Sequence, residues 1–123
     1  MNISSIDDQL ENLECEIMSG HLEGINTKEL AEIICERVSM NLMGNLTELI
    51  SEILDEMAIK VDVSYNPNYQ SFLLNFMIDE VGNIVELGLQ EILFYKLIYQ
   101  KDIKDAIIAT LLYTLTQKYS SVA

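Results

Sequence analysis

The spacing of apolar residues changes near residue 59, from three and four to two, and later changes back. A 3.6-residue period lines up one face of a helix, and a two-residue period one face of a strand. A chain that reads helix, strand, helix in that order is α+β, with N-terminal helices, a small antiparallel β-meander at about 59–87, and C-terminal apolar helices. Its 123 residues make one domain's length, enough to bury a core without disulfides. The expectation is one domain over 1–123, with an acidic helical part at 1–58 and the meander plus apolar helices at 59–123.

Ile3, Ile6, Leu10, Leu13 and Ile17 form one stripe, which predicts an amphipathic helix stopped by Gly20. Ser5 and Asp8 have the spacing of a capping pair. Cys15 falls opposite the stripe and is expected to be an exposed, unpaired thiol. A second helix is expected from Asn26 or Thr27, with Glu29 helping to cap it and Leu30, Ile33, Ile34, Val38 and Leu42 facing inward. Gly44-Asn45 interrupts the pattern, and Asn45 with Glu48 can cap a third helix to about Met57. Its inward set is Leu46, Leu49, Ile50, Ile53, Leu54 and Met57. One straight helix over 27–58 would swing its apolar face by roughly 140° at Gly44. A kink or break there keeps both halves on one core; the alternative is a continuous helix with Gly44 at a close contact.

Ile59, Val61, Val63 and Tyr65 alternate with polar residues and predict a first strand. Asn66-Pro67-Asn68 reads as a turn. Tyr69 to Ile78 reads as the central strand, since Pro67 and the charges of the first strand suit an edge. Leu73 and Met77 suggest that its second face is covered too. Asp79 to Asn83 reads as a turn and Ile84 to Leu87 as a short third strand. Leu89 to Tyr99 is apolar nearly all round, Gln100-Lys101 breaks it, and Asp102 caps a last helix at about 103–119. Helices without a polar face are buried or lie in interfaces.

The formal charge is −13, from 20 acids and 7 bases. It argues against direct contact with nucleic acid phosphates or an anionic membrane and permits a basic protein partner. Residues 1–58 hold 13 acids against Lys28 and Arg37, a net of −11, whereas 59–123 hold 7 acids against 5 lysines, a net of −2. Asp7–Glu11, Glu32–Glu36, Glu48–Glu52 and Glu52–Glu56 are like-charge i, i+4 pairs, each costing its helix about 0.2–0.5 kcal/mol. A solvated face is the plain explanation. The functional one is a surface whose repulsion is relieved on a basic protein, with Glu29, Glu32, Glu36, Glu48, Glu52, Asp55 and Glu56 as the binding residues.

No nucleophile motif, phosphate loop or dinucleotide fingerprint is present. Cys15, Cys35 and His21 cannot alone make a zinc site, so no metal, cofactor or catalytic residue is expected. His21 in a Gly-flanked connection reads as a loop histidine, and Asp79-Glu80 as turn chemistry. The tyrosines (Tyr65, Tyr69, Tyr95, Tyr99, Tyr113, Tyr119) suit either core packing or recognition. The start, MNISSIDDQL, resembles no secretory signal, and Ala106 to Leu115 is too short to span a bilayer, which points to the cytoplasm. The leading expectation is an acidic inhibitor or adaptor for a basic, nucleic-acid-binding protein, of the antitoxin, immunity or phage counter-defence kind. The alternative is an oligomeric or chaperone-like protein, a homodimer through Ile107, Ile108, Leu111, Leu112 and Leu115.

Overall fold

A computed structural model of the chain describes residues 3–21, 23–78 and 81–120. Its elements are α1 (Ile3–Ser19), α2 (Thr27–Asn41), α3 (Met43–Glu56), β1 (Val61–Asn66), β2 (Ser71–Ile78), β3 (Val81–Gly88), α4 (Leu89–Tyr99) and α5 (Ile103–Ser120). The fold is α+β: helices, an antiparallel three-stranded meander, then helices.

The helix ends follow from local chemistry, with corrections at the start of α1, at the α2–α3 junction and at the end of α3. Asn26 caps α2: its Oδ1 accepts the Glu29 N–H at 2.8 Å, and its Nδ2 donates to Glu29 Oε1 at 3.0 Å. Reciprocal bonds of this kind satisfy donors that a helix start leaves open. Ser5, by contrast, already lies inside α1. The interruption after α2 falls at Leu42, not at Gly44, and Asn45 caps nothing because it sits in the first turn of α3. Leu42 leaves helical geometry at φ −118° and ψ 2° while staying buried, so a core side chain marks the break. An added Cβ at Gly44 would meet nothing within 4 Å, so this glycine makes no close packing contact. Met57 follows α3 as an exposed cap residue rather than a core one.

The sheet order is β1-β2-β3, with β2 central. Val63 pairs with Leu74 and Leu74 with Val85, which sets Val61, Val63, Tyr65, Phe72, Leu74, Phe76, Val85 and Leu87 on one face. This face meets the helices: α3 packs over β1, and α5 against β3. Tyr65 Oη lies 2.7 Å from Ser39 Oγ of α2 and ties sheet to helix. The opposite face is largely open, contrary to the expectation from Leu73 and Met77: Asp62, Ser64, Ile84 and Glu86 on it are exposed, while Ser71 at its end is buried. Leu73 is half-buried, and Ile84 beside it is 61% exposed. The side chain of Met77 lies outside the described residues. The third strand is longer than its apolar run, because Gly82 and Asn83 pair with Met77 and Phe76. Ile78 pairs with Val81, so β3 begins at Val81 rather than at Ile84, and Asp79-Glu80 of the expected turn lie outside the described residues. At the other turn, Asn66 Oδ1 accepts the Asn68 N–H, and Gln70 takes the left-handed φ of 47° that brings the chain back.

The buried core runs from Ile6 and Leu10 of α1 through Leu54, Phe72 and Leu87 to Leu93 and Ile107, with Val61, Val63 and Tyr65 of β1 half-buried against it. Gln100, at a left-handed φ of 51°, ends α4, and Asp102 Oδ1 accepts the Asp105 N–H at 2.8 Å to start α5. Asp7 of α1 reinforces the same start. Its Oδ1 accepts the Ile103 N–H at 2.8 Å and lies 3.6 Å from Lys96 Nζ of α4. One mostly buried carboxylate thus holds α1, α4 and α5 together at an electropositive helix end. Asp7→Ala is expected to cost about 1–2 kcal/mol, and Asp8→Ala, exposed one position on, less than about 0.5 kcal/mol. Urea unfolding of the two variants checks the difference.

Candidate functional site

The seven acids singled out above all lie on solvent, as two outward strips on consecutive helices. The helical period explains the arrangement, since α2 turns Leu30, Ala31, Ile34, Cys35 and Val38 inward and leaves Glu29, Glu32 and Glu36 opposite. On α3 the inward set Leu46, Leu49, Ile50, Ile53 and Leu54 leaves Glu48, Glu52, Asp55 and Glu56 outside. Three of the seven have local duties. Glu29 completes the α2 cap, Glu32 Oε1 accepts from Gln90 Nε2 of α4 at 3.4 Å, and Glu56 pairs with Lys104 of α5 at 3.3 Å. The last is an exposed pair of little energetic weight. Arg37 turns away from the strip toward Glu16 of α1, at 3.2 Å. The α2 strip therefore borders α4, and the end of the α3 strip borders α5.

The expected seam on α5 is placed differently. Ile107 and Leu111 are buried in the chain's own core, Ile108 and Leu115 are half-buried against it, and Leu112 is 54% exposed. The first two are covered because α5 packs on both α4 and β3. The apolar surface left open lies instead on Phe94, Ile98 and Tyr99 of α4 and on Leu112 and Tyr113 of α5. Between the two helices runs a groove of about 520 Å³ bordered by Phe94, Tyr95, Ile98, Tyr99, Tyr113 and Glu91. The Tyr95 and Tyr99 rings meet across one turn as a tilted pair with centroids 4.5 Å apart. A signal for this face was present in the sequence: Glu91, Phe94 and Ile98 follow i, i+3, i+7. It was masked because α4 has apolar residues at nearly every angle.

The groups weighed for chemistry are dispersed. His21 is exposed, and its Nδ1 lies 2.8 Å from the Ile17 carbonyl at the end of α1, a helix-capping contact. Cys15 is exposed and Cys35 buried, and both are free thiols. Burial, and next the charge of Glu36, push the Cys35 thiol up to about 11. Its Sγ–H points at Gln70 Oε1 across 3.5 Å. No cluster of three or more His, Cys, Asp or Glu among the described residues could hold a metal ion. Asp79-Glu80 and the side chain of Tyr119 lie outside the described residues. Tyr65 is tied into the core by Ser39, while Tyr69 and Tyr113 are exposed. No helix among the described residues is long and apolar enough to cross a membrane. Comparison of the chain with protein-family models, with curated proteins and with solved structures finds no match.

Proposed function

We propose that the protein acts by binding, as an acidic inhibitor or adaptor whose α2 and α3 strips dock on a basic protein surface, one that otherwise holds nucleic acid. The carboxylates stand in for phosphates, as suits an antitoxin, an immunity protein or a phage counter-defence protein working in the cytoplasm. The supporting observation is the exposure of all seven acids on helices where like charges repel at i, i+4 spacing. Such repulsion is relieved when a basic surface arrives, and charge complementarity of this kind speeds encounter and selects partners. Glu36, Glu48, Glu52 and Asp55 have no duty in the caps or inter-helix bonds described above. Changing these four to Lys is therefore expected to abolish capture of the basic partner while the circular dichroism of the fold persists. Capture that is unchanged in the fourfold variant would refute the proposal.

The open apolar face favours a second reading, self-association through α4 and α5. Residues 89–123 hold three acids and four lysines, a formal +1, against −14 for residues 1–88. Two copies meeting there would keep their acidic helices apart. Salt separates the readings, because screening weakens an acid–base contact but strengthens a contact between two like-charged chains.

A further inference from the structure

We propose that the α4–α5 face is closed by a second copy of the chain, about a two-fold axis beside Phe94 that sets Lys28 of each copy against Glu91 of the other. The inference rests on the self-association reading above and names the contacts by which the face fits itself.

Two charges select the occupant. Lys28 in the first turn of α2 and Glu91 in the first turn of α4 are both exposed. Both border one hollow of about 480 Å³, together with Tyr69, Gln70, Gln90 and Phe94. Neither has an ion-pair partner among the described residues, whereas Lys96 and Lys104 of α4 and α5 are engaged by Asp7 and Glu56. A basic occupant would meet Lys28 as a like charge, and an acidic one would meet Glu91. An uncharged one gives neither a counter-charge. The occupant that answers both carries one charge of each sign at matching places. A two-fold contact supplies this by symmetry, since wherever residue i meets residue j, j meets i.

The apolar surface suits the same operation. Glu91 and Phe94 also border the α4–α5 groove of about 520 Å³, so the two hollows adjoin at Phe94. An exposed tyrosine lies to either side of that point, Tyr69 at 75% by the first hollow and Tyr113 at 65% by the groove. Rotation beside Phe94 lays the first hollow of one copy over the groove of the other and brings Tyr69 toward Ile98 and Tyr113. At about 150–250 Å² for an aromatic side chain, the exposed parts of Tyr69, Phe94, Ile98, Tyr99 and Tyr113 amount to roughly 500 Å² per copy. Two copies cover about 1,000 Å² of apolar surface, and with the polar rim this reaches the about 1,200–2,000 Å² of a stable interface. Residues 89–123 sum to +1, so the face itself carries little of the chain's −13.

Sedimentation velocity of the full chain at tens of micromolar, in about 0.15 M salt, tests the arrangement. The unchanged chain is expected to sediment as twice its 14.0 kDa mass. Phe94→Ala with Tyr113→Ala, both exposed, is expected to weaken association at least about tenfold. Lys28→Glu alone and Glu91→Lys alone each set like charges together at two places, and each is expected to weaken it about tenfold. Mixed in equal amounts, these two variants are expected to associate again, because every junction between them joins a lysine to a glutamate. The mixed dimer also shows that both changed chains are folded. Two weakened parents and a restored mixture support the proposal. A dimer that neither charge change weakens, or a mixture that stays apart, overturns the crosswise contacts and leaves self-association standing. A monomeric unchanged chain overturns both, as does a monomer that needs Phe94 and Tyr113 to capture another protein.

Discussion

Phe72→Ala is expected to remove about 3–5 kcal/mol of folding free energy, the largest effect of any single replacement considered. Phe72 is fully buried near the start of β2, between Tyr65 on β1 and Leu87 on β3. Its ring centroid lies 5.1 Å from that of Tyr65 in a tilted pair. Truncation leaves a void where the sheet meets the helices, and it loosens the ring whose hydroxyl reaches Ser39 of α2. Against a total stability of about 5–15 kcal/mol such a loss is large. Ile84→Ala, on the open face of the same sheet, is expected to cost less than about 0.5 kcal/mol. Urea unfolding followed by circular dichroism measures both. Equal losses would mean that the outer face is buried as well.

Glu36→Lys combined with Glu52→Lys is expected to stabilise the fold and impair binding together. The two changes convert Glu32–Glu36, Glu48–Glu52 and Glu52–Glu56 from repulsive to attractive pairs. Each conversion is worth about 0.4–1 kcal/mol, or about 1–2 kcal/mol in all once the less favourable Lys-before-Glu order at 52–56 is discounted. The net charge falls from −13 to −9. Removing Glu36 also lowers the Cys35 thiol somewhat from about 11, although burial, the larger cause, still holds it up. The thermal midpoint is expected to rise by about 4 °C per kcal/mol, while partner affinity drops about tenfold. A stabler protein that binds as well as before would reduce the acids to a solubilising face.

The sequence was informative wherever one physical rule acted alone. Periodicity located the helices, the meander and its central strand, and capping chemistry located the α2 and α5 starts at Asn26 and Asp102. Reading failed where a signal had two sources. Gly44 offered a break by propensity, yet the helices part at Leu42, where the inward phase must change. Gly82 and Asn83 resemble turn residues, but the hairpin register carries them into β3. The acids were legible because charge belongs on the surface under any packing. The groove was not, because residues apolar at every angle do not reveal which angles the neighbours cover. Ile107 and Leu111 proved to be core, and Phe94 and Tyr113 surface.

The most direct measurement is the dissociation constant of the captured basic partner between about 50 and 300 mM salt, with and without a double-stranded oligonucleotide as competitor. If acidic helices occupy a phosphate-binding surface, affinity falls at least about tenfold across that range and the oligonucleotide displaces the protein. An affinity that is flat with salt and untouched by the oligonucleotide would contradict the acidic surface as the functional one.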